Sequence, residues 1–184
     1  MATRLLLLLA LALPASAAEV AGVKFDEQAR VENAQLALTG AGVRKRLFFQ
    51  VYAVGLYVQD RKGDPLAQGG AKRVAIHMLR DVDAGTFTQA LIDGMRPNHD
   101  EATMKALEPR IAQLSATMAQ MQEAKKGMAI TLDWLPAGGT QMTVNGKAAG
   151  ALIAGEDFYR ALLRIWLGDK PVQDDLKKAL LGGG

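Results

Sequence analysis

Apolar residues run almost unbroken from Leu47 to Val58, directly after the basic triplet Arg44, Lys45 and Arg46. Over Arg46–Gln59 an extended chain would carry Phe48, Tyr52, Val54 and Leu56 on one side and Leu47, Phe49, Val51 and Tyr57 on the other. A segment apolar on both sides predicts a strand covered on both faces. Upstream, Ala34–Gly40 alternates Leu36 and Leu38 with small or polar residues, the period of a half-buried strand, and "TGAG" (39–42) supplies turn glycines after it. Glu19–Phe25 reads as a further short strand, and Lys72–Leu79 as another with Val74, Ile76 and Met78 in alternation. Asp60–Gly70, polar and containing Gly and Pro, is expected as a loop or a frayed short helix.

The period then lengthens. In Asp83–Met95 the residues Phe87, Leu91 and Met95 stand four apart, on one helical face. Pro97 is expected to end that helix. A second helical stretch begins at Asp100 and Glu101 and carries the stripe Leu107, Ile111, Leu114, Met118 and Met121; Lys125, Lys126 and Gly127 suit its end. Pro109 inside it predicts a kink or a division in two. Strand character returns in Met128–Leu135 and Thr140–Ile153, the latter folded at Asn145–Gly146, a strong two-residue hairpin signal. Gly155–Gly168 places Phe158, Leu162, Ile165 and Trp166 on a common helical face, and Pro171 is expected to open a last short helix. Strands, then helices, a hairpin and two more helices predict an α+β domain: an antiparallel sheet with a helical layer on one face.

The N-terminal segment changes the picture of where this domain works. Arg4 precedes the apolar run Leu5–Leu13, and "ASA" at 15–17 fits a small-x-small cleavage site. This reads as a signal peptide over residues 1–17, too short to span a bilayer, leaving residues 18–184 as a single domain in an exported, periplasmic protein. The mature chain of about 167 residues is long enough for a good core. It has no cysteine, so thiol catalysis, thiolate metal sites and disulfides are all excluded. Removing Arg4 leaves 21 Lys and Arg against 19 Asp and Glu, a net charge of +2. The charges are mixed, with no basic stripe interleaved with aromatics, so nucleic acid is not expected as a partner.

Catalytic signatures are likewise missing. The two histidines, His77 and His99, have no acidic or second imidazole neighbour at ligand spacing, so no metal site is expected. No nucleophile elbow, P-loop or dinucleotide fingerprint occurs, and no cofactor is expected. The methionines Met104, Met118 and Met121 read as core, of a kind that also suits a flexible apolar pocket.

Two stretches carry a resemblance. "GAGVR" (40–44), followed by "VYAVGLYV" (51–58), resembles the chalcone isomerase superfamily. The segment from Gly127 to Pro171, with "NG" (145–146), Phe158 and "IWLGDKP" (165–171), is similar to the family's exported bacterial chalcone isomerase-like branch. The resemblance covers about residues 19–182. It implies an open-faced β-sandwich, an antiparallel sheet and a helical layer enclosing a cleft. It also implies one of three activities: cofactor-free closure of chalcones to flavanones, fatty-acid binding, or a non-catalytic role. By this resemblance Arg44 matches a cleft arginine that polarises substrate oxygens or holds a carboxylate. Tyr57 matches the tyrosine that shares the carboxylate, and Tyr52 stands where the enzymes carry a cleft-lining hydroxyl. The enzymes' tyrosine, lysine and asparagine on the first helix correspond to Phe87, Ala90 and Gly94. No catalytic residue is therefore carried over.

The residue chemistry agrees with a binding role. A guanidinium can hold a carboxylate by two charge-assisted hydrogen bonds, a tyrosine hydroxyl can add a third, and apolar side chains can cover the tail. The expected partner is a small apolar carboxylate, such as a fatty acid, or a polyphenol-like molecule. Alternatives are a chalcone isomerase-type intramolecular lyase and an envelope protein-interaction module. The mature chain is expected to be a monomer with no membrane span. Taken alone, Arg44 also fits a solvated residue beside a turn, and Tyr52 and Tyr57 ordinary strand aromatics. Strand parity bears on the choice: Arg44 and Tyr57 are 13 apart, so a regular strand points them to opposite faces. A shared pocket needs a break, which Gly55 is placed to provide; otherwise Tyr52, eight from Arg44, is the better partner.

Overall fold

The computed structural model describes residues 18–183. The expected signal peptide at 1–17 lies outside the described residues. The strands are β1 (Ala18–Val20), β2 (Val23–Phe25), β3 (Gln28–Val31), β4 (Ala34–Arg46), β5 (Phe49–Val58), β6 (Lys72–Met78), β7 (Val82–Asp83), β8 (Glu123–Ala124), β9 (Ala129–Leu135), β10 (Gly139–Val144) and β11 (Lys147–Ile153). The helices are α1 (Ala84–Met95), α2 (Glu101–Ala119), α3 (Glu156–Leu167) and α4 (Asp174–Leu180), with a short 3-10 turn at Arg96–Asn98 after α1. Seven strands form one antiparallel sheet in the order β11-β10-β9-β6-β5-β4-β3. The expected α+β class with helices on one face is the architecture observed.

Alternation along β5 divides the core. Tyr52, Val54, Leu56 and Val58 face the helices and join Phe87, Leu91 and Met95 of α1 with Phe158, Leu162 and Trp166 of α3. Ala53 and Tyr57 face the other way, into a smaller cluster with Phe25, Leu36, Leu38 and Ala75, which the β1–β2 hairpin helps to cover. Helix α1 starts where the sequence places it: the Asp83 carboxylate accepts a hydrogen bond from the Thr86 amide at 2.8 Å. Asp100 caps α2 in the same way through the Thr103 amide at 2.7 Å. The β10–β11 turn is at Asn145–Gly146, with φ of +49° and +78°, the left-handed pair that a two-residue hairpin demands.

Four local expectations are corrected. First, "TGAG" is not a turn; β4 runs through it to Arg46. Its glycines instead admit α4, since a Cβ at Gly40 would lie 1.9 Å from the Ala179 carbonyl oxygen and one at Gly42 would lie 2.7 Å from Leu176 Cδ1. Leu176 and Leu180 of α4 are thereby buried on the sheet, each contributing about 1.5–3 kcal/mol. The reversal comes instead at Leu47–Phe48, between paired Arg46 and Phe49, with Leu47 at φ +55°. A leucine in this left-handed region costs roughly 1–2 kcal/mol. Second, Leu47, Phe48 and Phe49 are exposed, not covered, so the double-sided burial of β5 begins only at Tyr52. Third, Pro109 does not divide α2, which is continuous over 19 residues but stops at Ala119; Lys125–Gly127 belong to the turn between β8 and β9, where Gly127 has φ +83°. Fourth, Pro171 precedes α4 without opening it, and α4 begins at Asp174.

Candidate functional site

A cleft of about 410 Å³ opens between α1, α3 and the β4–β5 hairpin, within the range of small-molecule sites, about 300–1,000 Å³. Its buried floor is apolar: Phe87, Leu91 and Gly94 from α1 and Ile165 from α3. Val51, Val82, Pro171 and Val172 add partly covered apolar walls. The polar residues facing it are Arg44, Tyr52, Arg46, Thr86, Asp93 and Lys170. Three of these carry positive charge and one carries negative charge, so the cleft favours an anion.

Arg44 and Tyr52 are brought together by register. They are cross-strand partners on the helix side of the sheet, in the same row sense as Gly42↔Val54 and Gly40↔Leu56. Arg44 is partly buried, and its guanidinium donates to the Lys45 carbonyl oxygen and, at 3.4 Å, to Gln173 Oε1. Gln173, just before α4, ties down this stretch of β4. Its side-chain carbonyl accepts from the Lys45 amide at 2.8 Å and its side-chain amide donates to the Val43 carbonyl at 3.0 Å. Among the described residues Arg44 belongs to none of the ion pairs.

Tyr52 is buried on its partners. Trp166 Nε1 donates to the Tyr52 hydroxyl oxygen at 3.0 Å, and the Phe87 ring lies 6.0 Å away, tilted. Because Tyr52 accepts from Trp166, its own O–H remains free to donate. Burial pushes the Tyr52 pKa up to about 12, with the Trp166 hydrogen bond and the Arg44 charge opposing the rise. The hydroxyl therefore stays protonated throughout the physiological range and serves as a donor, not a base.

Tyr57 is not part of this site. Between Tyr52 and Tyr57 β5 pairs with β6 residue for residue, so the two rings point to opposite faces. Gly55 supplies no break. It makes room for Phe25, whose Cδ1 would lie 2.7 Å from a Cβ there. Irregularities do exist against β4, where Thr39 is an extra residue opposite Leu56 and Tyr57 and the register shifts again between Arg44 and Lys45, but β5 itself stays regular against β6 from Tyr52 to Tyr57. The expectation that Arg44 and Tyr57 share a pocket is thus overturned; Tyr52 is the neighbour of Arg44, through the register shift at Arg44/Lys45 and not through an unbroken alternation. Tyr57 instead stands beside Arg73, its partner on β6. Arg73 in turn holds Asp133 of β9 by two hydrogen bonds of 2.7 and 2.6 Å.

The segment "IWLGDKP" acquires a physical role. Ile165 lines the cleft floor, Trp166 orients Tyr52, and Lys170 and Pro171 stand on the rim. The rim turn is clamped by Asn98, whose side chain accepts from the Lys170 amide and donates to the Lys170 carbonyl, both at 2.9 Å. Gly168 is required at this clamp, because a Cβ there would lie 2.2 Å from Asn98 Oδ1. Trp166, Gln173, Arg46 and Lys170 are site residues that the sequence reasoning did not single out. For Trp166 and Lys170 the signal was present in the motif itself. The positions expected to carry polar groups in an isomerase, Phe87, Ala90 and Gly94, do line the cleft, and here they are aromatic, methyl and hydrogen.

A model of the family described as chalcone isomerase-like matches residues 17–182. The chain belongs to the chalcone isomerase-like family. No curated protein matches the sequence. Among solved structures, the Arabidopsis thaliana fatty-acid binding protein AtFAP1 is similar in fold, with a TM-score of 0.66 over 88% of this chain and 92% of that one, at 15% identity. Among the described residues no group of three or more His, Asp or Glu side chains is placed to hold a metal, and no helix is long and apolar enough to cross a membrane.

Proposed function

We propose that this chalcone isomerase-like protein is a non-catalytic binder of a small apolar carboxylate, a fatty-acid-like molecule, working in the periplasm after export. The observation that carries the reading is an arginine that has no acidic partner among the described residues, on the wall of an apolar cleft, with a free tyrosine O–H beside it. An anion brought into such a cleft needs its charge satisfied. Arg44 supplies two parallel donors and Tyr52 a third, while Phe87, Leu91, Ile165 and Val172 cover the tail. The relative AtFAP1 is a fatty-acid binding protein, which supports the same reading. The α1 wall offers no lysine, tyrosine or asparagine at the three cleft positions, so the protein is expected to give no acceleration of chalcone ring closure over buffer.

Native mass spectrometry of the purified protein, followed by titration with a fluorescent long-chain acid, tests the reading. Binding of one carboxylate per chain is expected. Arg44→Ala should weaken it by about 2–3 kcal/mol, roughly 30–150-fold. An unchanged affinity in that variant would overturn the assignment. Cell fractionation, with mass analysis of the mature N-terminus, tests export: a mature chain beginning near residue 18 in the periplasmic fraction is the expected result.

A further inference from the structure

The β4–β5 hairpin ends in an exposed apolar tip that the cleft does not use. Leu47, Phe48 and Phe49 are 84%, 98% and 55% exposed. The other large apolar residues that stand out among the described residues, Leu152 and Leu181, are separate from one another and 42% and 44% exposed. A hairpin turn in water is ordinarily built from Gly, Asn or Asp, which tolerate φ above zero. Here Leu47 occupies that position at φ +55°. Leu47 and Phe48 are thus held almost wholly in solvent on a strained turn, with Phe49 half-exposed beside them.

The charges around the tip are one-sided. Arg44, Lys45 and Arg46 precede it, and Arg80 stacks over the Phe49 ring at 4.5 Å from its centroid. No acidic residue occurs from Gly40 to Gln59, and Asp175 of α4 is the carboxylate whose charge faces Lys45. An apolar point within a basic collar matches a surface in which anions overlie hydrocarbon. A protein partner would require about 800 Å² of complementary area on each side, which a two-residue turn does not offer.

We infer that the Leu47–Phe49 tip docks the protein on an anionic lipid bilayer, with the tip side chains below the headgroups and Lys45, Arg46 and Arg80 among the phosphates. The strands that lead to the tip also wall the cleft, through Arg44 and Arg46 on one and Val51 and Tyr52 on the other. Docking therefore sets the cleft beside the lipid. The docking itself stands on the hairpin alone; only its use, exchange of an apolar acid with the bilayer, rests on the binding role proposed above.

The test uses the mature protein with vesicles of phosphatidylcholine, alone or mixed with phosphatidylglycerol. Sedimentation with the anionic vesicles is expected, and little with the neutral ones. Binding should weaken between about 0.1 M and about 1 M salt, as the screening length falls from about 10 Å to about 3 Å. The double variant Leu47→Ser, Phe48→Ser should lose on the order of tenfold per side chain, while still binding a fluorescent fatty acid in solution. Lys45→Glu with Arg46→Glu should lose about fivefold or more per residue. In Phe48→Trp, a change at an open position, indole emission should shift to the blue with anionic vesicles and be quenched by lipids brominated along the acyl chain. Three outcomes would each overturn the inference: a protein that stays in solution with anionic vesicles at low salt, a Phe48→Trp variant whose added indole emits as it does in water, or a tip substitution that dissolves a protein dimer without altering vesicle binding. Failure of fatty-acid binding with intact vesicle binding would count against the cargo alone.

Discussion

The two faces of the central sheet each carry a tyrosine beside an arginine, and the pairs differ in two respects. On the outer face, Tyr57 neighbours Arg73, and Arg73 is held by the Asp133 carboxylate. On the helix face, Tyr52 neighbours Arg44, and among the described residues Arg44 has a carbonyl and a glutamine amide oxygen but no carboxylate. Both tyrosines are buried, and both are pushed up to about 12, in each case chiefly by burial. Burial and residue type therefore do not tell the proposed binding pair from a structural one. The distinction lies in whether the cation is already neutralised, and in the cleft that lies against Arg44 and not against Arg73.

The similarity of the tyrosines gives the largest expected effect. Each has a folded pKa above its unfolded value near 10.0. Their contribution is present in full below about pH 10 and is lost as the pH rises toward 12, because only the unfolded chain releases the protons there. A shift of about two units corresponds to about 3 kcal/mol for each. Tyr159, buried and donating to the Leu132 carbonyl at 3.1 Å, adds in the same direction. Urea midpoints should thus be flat to about pH 10 and collapse before about pH 12. Tyr52→Phe and Tyr57→Phe should each make that decline shallower by one proton. Unequal effects would mean that the two faces differ in burial after all.

The arginines should separate where the tyrosines do not. Asp133→Ala leaves Arg73 partly buried without its partner; with 22% of the Arg73 side chain still accessible, a loss of about 3 kcal/mol of stability is expected. Ligand affinity should be unchanged. Arg44→Ala should do the reverse, changing stability by less than about 1 kcal/mol while weakening the carboxylate complex. Denaturant melts of both variants, set beside the fatty-acid titration, read the crossover. Loss of stability in both would reduce Arg44 to a second structural cation.

How much of this was open to a reader of the chain follows the range of the interactions. The Asp83 cap, the α1 stripe and the Asn145–Gly146 hairpin depend on neighbours a few residues away, and their sequence signals are sufficient. The glycines at 40 and 42 carry the same composition as a turn, yet their reason is α4, at the far end of the chain. Conversely, the real reversal at Leu47–Phe48 has no turn chemistry to announce it. Tyr52, not Tyr57, stands with Arg44 because the register shifts between Arg44 and Lys45; the register of Arg46↔Phe49 and Lys45↔Gln50 would have set Arg44 against Val51. The misleading element was Gly55, whose missing side chain accommodates Phe25 and leaves the strand regular. That Arg73 has a carboxylate partner and Arg44, among the described residues, has none depends on which strand lies across the sheet, and nothing local to either residue reports it.

The smallest effect concerns what holds Arg44 ready. Gln173 makes three contacts with β4: it accepts from the Lys45 amide, donates to the Val43 carbonyl and accepts from the Arg44 guanidinium. The outer pair has a rigid charged partner instead, so its geometry does not depend on a neutral clamp. Removing the clamp by Gln173→Ala leaves the charge at position 44 in place and frees the strand end that carries it. Two neutral hydrogen bonds to backbone are worth about 1 kcal/mol in stability. If the clamp pre-orders the guanidinium, the fatty-acid affinity should fall a few-fold as well, through the cost of ordering one long side chain on binding, about 0.5–1.5 kcal/mol. In the Arg44→Ala background the same substitution should then leave affinity untouched, since no guanidinium remains to be ordered. A full additive loss in the double variant would show instead that Gln173 meets the ligand directly.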